Sequence, residues 1–323
     1  MKAWQWAGAG VAAFAATVSL INASWLAPTP RGRLIMVAHR GVAQPLDRTG
    51  LGRNDCTAAH MLPSDHDYIE NTLRSMRAAL SLGAGLIELD VHPTRDGAMV
   101  VFHDWTLDCR TNGAGPVREK TLAELKKLDI GYGYTADGGR SFPLRGHGVG
   151  AMPTVEEVLR EFPGVPLLFN FKSRDPADAD ALAAAFRRAG AAIGPQYSYY
   201  GDPAPLGRMR RYAPHAWMWD RAGVKACARD YLLWGWTSIV PQNCRNGTIV
   251  VPLNYRWAIW GWPYRFLDRM ANNGTRVIVM GEVKDSSSPV GIERPEQLGE
   301  VPRDFRGYLW VENMYDIGRA RGR

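Results

Sequence analysis

The sequence lacks any run of five or more basic residues and any evident nucleic-acid-binding motif, although it has 39 lysines and arginines against 32 aspartates and glutamates. We therefore predict that nucleic acid is not a partner. The net charge of +7 suits an anionic small-molecule substrate or a phospholipid surface, and it does not choose between these two.

Internal repeats of roughly 20–50 residues and Pro- or Ser-rich linkers are also missing from the 323 residues. With 46% hydrophobic and 22% charged residues, the composition excludes disordered, collagen-like and disulfide-scaffold proteins. The length suits one α/β barrel of about 250 residues. We predict a single barrel domain over residues 31–323 behind an N-terminal segment, residues 1–30, and the oligomeric state stays open.

The stretch from Trp4 to Leu26 carries no charged residue. About 20 uncharged residues can cross the hydrocarbon core of a bilayer as a helix. A retained signal anchor and a cleaved signal peptide are the leading interpretations, and a buried core helix is the third. The length favours the anchor. Either leading interpretation places the body outside the cytoplasm, in the periplasm or another extracytoplasmic location.

The four cysteines include no CxxC pair and no zinc-ligand spacing. An even number in an exported chain is compatible with two disulfides. Chain order suggests Cys56 with Cys109 and Cys227 with Cys244. Four cysteines permit three connectivities, and four buried free thiols remain the alternative.

Short apolar or β-branched runs alternate with helical stretches along the body. This alternation predicts a mainly parallel sheet covered on both faces, and about eight such units favour a closed (β/α)8 TIM-type barrel of the α/β class. Nine candidate strands for eight places mean that one is wrong or lies outside the barrel. The candidate strands are 34–38, 86–91, 99–103, 166–171, 196–200, 216–219, 237–241, 276–281 and 308–311, and the candidate helices are 71–82, 121–128, 154–161, 177–189 and 263–272.

Polar side chains interrupt four of the predicted strands at or near their ends. Charged groups inside an apolar strand are costly to bury without a partner, and the C-terminal strand ends of a barrel meet at the face where active sites form. The pattern favours a metal site over a structural ion pair of the two carboxylates with Arg or Lys. The residues are His39-Arg40-Gly41, Glu88 and Asp90 on one face of a strand, His103-Asp104, and Asn170 with Lys172.

Together with their neighbours, these residues resemble the glycerophosphodiester phosphodiesterase family, a (β/α)-barrel group related in architecture to the phosphatidylinositol-specific phospholipases C. The likeness covers about residues 34–175 and becomes faint beyond residue 190, where Gly307–Asn313 resembles the last strand of the family only loosely. The matching motifs are His39-Arg40-Gly41, Glu70-Asn71-Thr72, Glu88-Leu89-Asp90-Val91, Thr94-Arg95-Asp96-Gly97, Val101-Phe102-His103-Asp104, Thr106-Leu107-Asp108 and Arg110-Thr111-Asn112-Gly113.

The resemblance implies separate roles in catalysis and binding for these residues. His39 and His103 would transfer protons, because a phosphodiester needs its attacking oxygen activated and its leaving alkoxide protonated. Glu88 and Asp90 would hold one divalent cation that polarises the phosphate. Oxygen ligands favour Mg²⁺ or Ca²⁺ over zinc.

The remaining implied roles concern phosphate binding. Arg40 and Lys172 would hold phosphate oxygens, the first as a planar fork and the second as a point charge, and Glu70 would join the metal ligands or orient a histidine. The implied function is a metal-dependent hydrolase of glycerophosphodiesters or lysophospholipid-like diesters, with a membrane surface as a further partner. The alternatives are an intramolecular transferase of the phospholipase D toxin type, which leaves a cyclic phosphate, and a non-catalytic lipid-binding barrel.

Two features depart from the family pattern. Asn170 stands where the family usually has Glu, so the predicted ligand set has one negative charge fewer unless Glu70 compensates. The segment Val42–Ile69 is longer than the usual connection, and we predict that it covers the mouth of the site or sets specificity. It contains Cys56, His60, Asp65, His66 and Asp67, and we expect both histidines to be solvated loop residues.

Seven of the twelve tryptophans lie between Trp217 and Trp262. Core packing would explain them, because Trp fills gaps between strands and helices. An aromatic rim for a lipid tail or for the bilayer interface is the functional interpretation, and stacking on carbohydrate is a further one. The residues are Trp217, Trp219, Trp234, Trp236, Trp257, Trp260 and Trp262.

Overall fold

The structure is a computed structural model that describes residues 3–51, 55–283 and 290–322. Its described strands are β1 (Leu34–His39), β2 (Leu86–Pro93), β3 (Met99–Val101), β4 (Leu167–Phe171), β5 (Tyr197–Gly201), β6 (Met218–Asp220), β7 (Thr248–Pro252), β8 (Arg276–Met280) and β9 (Gly307–Val311). Its described helices are α1 (Ala3–Ile21), α2 (Leu73–Ser81), α3 (Leu122–Leu125), α4 (Val155–Glu161), α5 (Ala177–Ala189), α6 (Pro203–Met209), α7 (Arg221–Trp234), α8 (Tyr264–Asn272) and α9 (Met314–Arg321).

These elements form two compact units. Unit 1 comprises Met1–Ile35, Arg221–Val290 and Glu296–Leu309. Unit 2 comprises Met36–Asp220, Gly291–Pro295 and Trp310–Arg323. Unit 2 contains every residue that the sequence predicts for the site.

Five parallel strands of unit 2 lie side by side in the order β6, β5, β4, β2, β1. The register sets His39 of β1 opposite Glu88 of β2, and Asp90 of β2 opposite Asn170 of β4. Because neighbouring Cα partners share a face of the sheet, this register brings the predicted polar residues of three strands together.

The two faces of this sheet differ in character because side chains alternate along a strand. Leu89 and Val91 of β2 and Phe169 of β4 belong to an apolar core that includes residues of α4 and α5. Glu88 and Asp90 alternate with those core residues and lie on the opposite face. The polar face of β2 and β4 therefore carries the candidate site, and the apolar face carries the core.

Unit 1 contains three parallel strands in the order β7, β8, β9. Val250 of β7 pairs with Ile278 of β8, and Ile278 pairs with Tyr308 of β9. The described residues of the two units supply eight parallel strands, which is the number that the sequence predicts.

Two predicted strands need correction. Residues 237–241 form no strand: Thr237 ends a 3-10 turn, Ser238 has a left-handed φ of 73°, and Ile239 is exposed. The strand of this region is β7, in which Ile249 and Val251 are buried. The run at 99–103 is shorter than predicted, since β3 ends at Val101. It folds back antiparallel on β2 and lies outside the parallel set.

The five predicted helices are all present as α2, α3, α4, α5 and α8. Three begin with a capping box in which a threonine side chain accepts from the backbone N–H three residues later: Thr72, Thr121 and Thr154. Helix α5 is capped at its C-terminal end by Gly190, whose φ of 69° suits a residue without a Cβ atom. Local sequence therefore fixes where these helices begin and end.

The structure contains both disulfides that chain order suggests. Cys56 is bonded to Cys109 within unit 2, and Cys227 is bonded to Cys244 within unit 1. The first bond ties the inserted segment to the loop after His103. The second joins α7 to the turn before β7.

We expect the two disulfides to differ in their contribution to stability. By loop-closure entropy, replacing Cys56 and Cys109 by Ser should lower the free energy of unfolding by about 4 kcal/mol, for a separation of 53 residues. The matched replacement of Cys227 and Cys244, which are 17 residues apart, should cost about 3 kcal/mol. Urea unfolding of the two double variants, with the reduced native chain as a control, tests this ranking. A reversed ranking would contradict it.

Candidate active site

Glu88 and Asp90 lie at the centre of the polar face of β2, and neither is exposed to solvent. Burying two carboxylates is costly unless each has partners. The contacts of these two residues therefore decide what the site can do.

Asp90 is surrounded by hydrogen-bond donors. Its Oδ2 accepts from Asn71 Nδ2 at 3.0 Å and its Oδ1 accepts from Asn170 Nδ2 at 2.8 Å. Arg40 Nε lies 3.2 Å from Oδ2, and Lys172 Nζ lies 3.5 Å from Oδ1. Burial opposes the charged form, but Lys172 and Arg40 outweigh it and hold the pKa of Asp90 well below its usual range. Asp90 is therefore an anion at neutral pH.

Glu88 has a different environment. Tyr200 donates its hydroxyl hydrogen to Glu88 Oε1 at 2.6 Å, and the backbone N–H of Arg40 donates to Oε2 at 3.1 Å. Burial and the neighbouring charge of Asp90 raise the pKa of Glu88 to about 7. Glu88 is therefore less fully neutralised by its partners than Asp90.

His39 at the end of β1 is held by a carboxylate. Its Nδ1 lies 2.7 Å from Glu312 Oε2, and its Nε2 lies 3.9 Å from Glu88 Oε2. Glu312 also forms an ion pair with Arg48 of the inserted segment. Burial opposes the charge of Glu312, but Arg48 and His39 hold its pKa below its usual range. A carboxylate on Nδ1 fixes the ring orientation and leaves Nε2 as the nitrogen for proton transfer.

His103 has an equivalent partner. Its Nδ1 lies 2.6 Å from Asp104 Oδ1, and Asp104 Oδ2 accepts from Arg110 Nε at 2.8 Å. Burial and the cations Arg40 and Lys172 together lower the pKa of His103 to about 3. His103 is therefore neutral at pH 7 and is able to accept a proton.

Glu70 lies between two arginines. Its Oε1 accepts from Arg40 Nη1 at 2.9 Å, and its Oε2 lies 3.2 Å from Arg110 Nη1. A chain of polar contacts thus runs from Glu70 through Arg110 and Asp104 to His103. Of the two roles predicted for Glu70, these contacts favour the orientation of a histidine.

Aromatic rings line the side of the site next to His39. The rings of Tyr200 and Trp219 are stacked with centroids 4.4 Å apart, and Trp310 meets Tyr200 edge-on at 5.9 Å. The Trp310 ring centroid is also 5.3 Å from that of His39. These rings exclude water from the Glu88 side of the site and strengthen its electrostatic interactions.

The inserted segment reaches the site at two points. Arg48 contacts Glu312, and Thr57 accepts a hydrogen bond at 2.6 Å from Arg110 Nη2. His60 is exposed as predicted. His66 is half-buried, with its ring centroid 4.5 Å from that of Tyr315, and burial lowers its pKa. The prediction that His66 is solvated is wrong, because the aromatic rings of Tyr68 and Tyr315 cover it.

The structure links all eight predicted site residues in one network of polar contacts. The same network includes five further residues whose roles the sequence reasoning did not predict: Glu312, Asp104, Arg110, Asn71 and Tyr200. Glu312 follows β9 directly, so the rule that polar residues at strand ends mark the site would have found it.

Comparison with known proteins shows what the chain is similar to. The sequence model of the glycerophosphoryl diester phosphodiesterase family matches residues 63–193. That range includes six of the predicted site residues and stops short of His39 and Arg40. The resemblance to this family is confirmed.

Two curated relatives illustrate how far the likeness extends. The chain is 55% identical over 62 residues to the glycerophosphodiester phosphodiesterase of Caldanaerobacter subterraneus, covering 19% of this chain and 26% of the relative. It is 36% identical over 133 residues to that of Bacillus subtilis, covering 40% of this chain and 36% of the relative. The chain thus spans only about a quarter to a third of the length of these relatives.

A solved structure shows the fold. The Oleispira antarctica phosphodiesterase, determined in complex with the product sn-glycerol-3-phosphate, aligns with a TM-score of 0.59 at 17% identity. The alignment covers 93% of this chain and 100% of the other. The predicted (β/α)8 TIM-type class is therefore confirmed.

The residues present fit a divalent cation in part. Glu88 and Asp90 supply two adjacent buried carboxylates, and their mutual repulsion, together with burial, raises the pKa of Glu88, which a nearby cation would relieve. The Oδ1 of Asn170 could add a neutral oxygen. Within the part of the chain that the structure describes, no three His, Cys, Asp or Glu side chains form a ready ligand group, and both oxygens of Glu70 face arginines.

Arg110 is 1% exposed and joins two carboxylates, so we expect Arg110→Ala to be strongly destabilising. Removing one partner leaves buried charges unpaired, which costs about 3–5 kcal/mol. The matched control is Arg77→Ala, because Arg77 forms a solvent-exposed pair with Glu161 worth less than about 1 kcal/mol. Urea unfolding of both variants measures the difference. Equal losses would show that the buried network contributes no more than a surface pair.

Proposed function

We propose that this protein hydrolyses glycerophosphodiesters or lysophospholipid-like diesters to an alcohol and a phosphomonoester. The observation that carries the proposal is the pairing of each site histidine with its own carboxylate, Glu312 for His39 and Asp104 for His103. Two oriented histidines beside buried cations supply the two proton transfers and the charge neutralisation that cleavage of a phosphodiester needs.

The histidines divide the proton work between them. His103 is neutral at pH 7, so it accepts a proton from the attacking water. His39, hydrogen-bonded to Glu312, donates a proton from Nε2 to the leaving alkoxide. A carboxylate on each Nδ1 stabilises the imidazolium that forms during transfer, which is the usual role of such a partner.

Arg40 and Lys172 neutralise the phosphate oxygens. Both lie within 3.5 Å of Asp90, so their side chains are already positioned before substrate arrives. Arg40 offers a planar fork of donors and Lys172 offers a point charge. This preorganisation lowers the cost of gathering positive charge around the phosphate.

We assign the metal to Glu88 and Asp90, with Asn170 as a third oxygen donor. When bound, a Mg²⁺ or Ca²⁺ ion there would polarise the phosphate as a Lewis acid. Glu70 is left out of this ligand set, since both of its oxygens face arginines.

We also propose that the protein acts outside the cytoplasm on substrates derived from membrane lipids, anchored through residues 4–26. Helix α1 is uncharged between Trp4 and Ile21 and long enough to span a bilayer. Both disulfides suit an oxidising compartment.

Phosphorus NMR of products from a panel of glycerophosphodiesters and lysophospholipids, with and without chelator, tests the function. We expect phosphomonoester to accumulate and His39→Ala and His103→Ala to lower turnover by about 10²–10⁴-fold. The matched control is His60→Ala on the exposed loop, which should retain turnover. Cyclic phosphate as the final product would instead indicate the intramolecular transferase, and absence of turnover would indicate the lipid-binding barrel.

The role of Asn170 is tested by metal binding. Asn170→Glu should tighten Mg²⁺ or Ca²⁺ binding by roughly tenfold or more, because it places another carboxylate beside Asp90 in a poorly solvated site. Asn170→Ala should weaken binding. Asn243→Glu is the matched control, since Asn243 also donates to an aspartate, Asp230, but in unit 1. Calorimetric titration that finds one affinity for all the proteins would remove Asn170 from the ligand set.

A further inference from the structure

Unit 1 exposes a group of large apolar side chains around the C-terminal end of α1. Trp25 is 79% exposed, Leu233 60%, Trp234 58% and Ile239 62%. We call the group the apolar rim and define it as Trp25, Leu26, Leu232, Leu233, Trp234 and Ile239. An exposed apolar group of this size marks an interaction surface.

Hydrogen bonds to one short region hold the parts of the rim near one another. Trp260 Nε1 donates to Leu232 O at 3.0 Å. Arg265 Nη2 donates to Leu26 O at 3.1 Å, and the backbone N–H of Tyr264 donates to Ser24 Oγ at 2.9 Å. The residues that follow α1 and the end of α7 are thus both attached to the start of α8 and the turn before it.

The C-terminal end of α1 is bound by a buried arginine of α8. Arg269 Nη2 donates to Ile21 O at 2.8 Å, and Arg269 Nη1 donates to Asn22 Oδ1 at 2.9 Å. A basic group at a helix C-terminus satisfies its free carbonyls and complements its dipole. Cleavage behind α1 would leave this buried guanidinium short of two acceptors, so the contact favours a chain that keeps α1.

A second contact fixes the side of α1 against unit 1. Asn22 Nδ2 donates to Trp236 O at 2.9 Å, and the Phe14 ring centroid lies 5.9 Å from that of Trp236. The last two turns of α1 therefore lie beside residues 234–239, which contribute two members of the rim. Between Trp4 and Ala13 the helix has no buried residue.

The length of α1 indicates that a lipid bilayer covers the apolar rim. Its 18 uncharged residues rise about 27 Å, close to the roughly 30 Å hydrocarbon core of a bilayer. With α1 across the membrane, the rim beside its C-terminal end lies at the boundary of hydrocarbon and headgroups. Trp is enriched at that boundary, and Leu and Ile suit its acyl side.

We propose that α1 is retained and that the apolar rim is a phospholipid-bilayer contact surface of unit 1. This inference rests on the membrane location given under the proposed function, and it does not depend on the reaction. A second copy of the chain or another protein on the rim is an outcome that the test distinguishes.

Fluorescence quenching by lipids brominated near the headgroup end of the acyl chains tests the contact, with the full chain reconstituted in phosphatidylcholine vesicles. Trp234→Phe should lower the fraction of emission that is quenched, because it removes an emitter in contact with lipid. The matched control, Trp217→Phe, removes a buried emitter of unit 2 and should raise that fraction. A higher quenched fraction in both variants would overturn the proposal. Absence of quenching together with a cross-linked dimer would also overturn it, because a second copy of the chain would then cover the rim.

Mass spectrometry of the protein recovered from membranes tests retention of α1. A chain that still contains residues 4–21 is expected, and a mature chain beginning after Leu26 would overturn the proposal. Turnover in detergent micelles separates the proposed bilayer contact from the proposed function. Trp234→Phe should leave it unchanged, whereas failure of the proposed function would remove turnover from the native chain without altering the quenching result.

Discussion

The burial of the Asp90 carboxylate is the constraint on which the rest of the site depends. A fully buried anion is stable only if its surroundings supply positive charge and hydrogen-bond donors. Asn71 and Asn170 supply amide donors, and Arg40 and Lys172 supply the charge. The four come from three segments, the end of β1, the turn before α2 and the end of β4, so folding that satisfies Asp90 also assembles the phosphate-binding cations.

Two residues next to Asp90 adopt unusual backbone conformations. Arg40 and Asn71 have left-handed φ values of 64° and 58°, which cost energy in residues with a Cβ atom. The N–H of Asn71 donates to Arg40 O at 2.8 Å, so each holds the other in place. Only glycine fits at position 41, because a Cβ atom there would lie 2.6 Å from Ser75 Oγ. The motifs at residues 39–41 and 70–72 thus form one structural unit.

Local sequence predicts much of this fold, and long-range pairing explains the remainder. Five helices and seven of the nine candidate strands follow from periodicity and capping residues. The run at 237–241 has a strand-like composition, but Ser238 turns the chain and Ile239 faces solvent. The ion pairs of Glu312 could not be predicted, although its place at a strand end could, because Arg48 and His39 meet Glu312 across separations of 264 and 273 residues. No local pattern encodes such a contact.

Glu88 differs from the other carboxylates of the site in its charged neighbours. Glu70, Asp104 and Glu312 each face at least one arginine, and Asp90 faces Arg40 and Lys172. In the described residues, Glu88 has only His39 within ion-pair distance, so burial and Asp90 raise its pKa to about 7. A further positive charge beside Glu88 would therefore stabilise its carboxylate. A proton on Glu88 or a divalent cation can supply it, and only the cation would also polarise a bound phosphate.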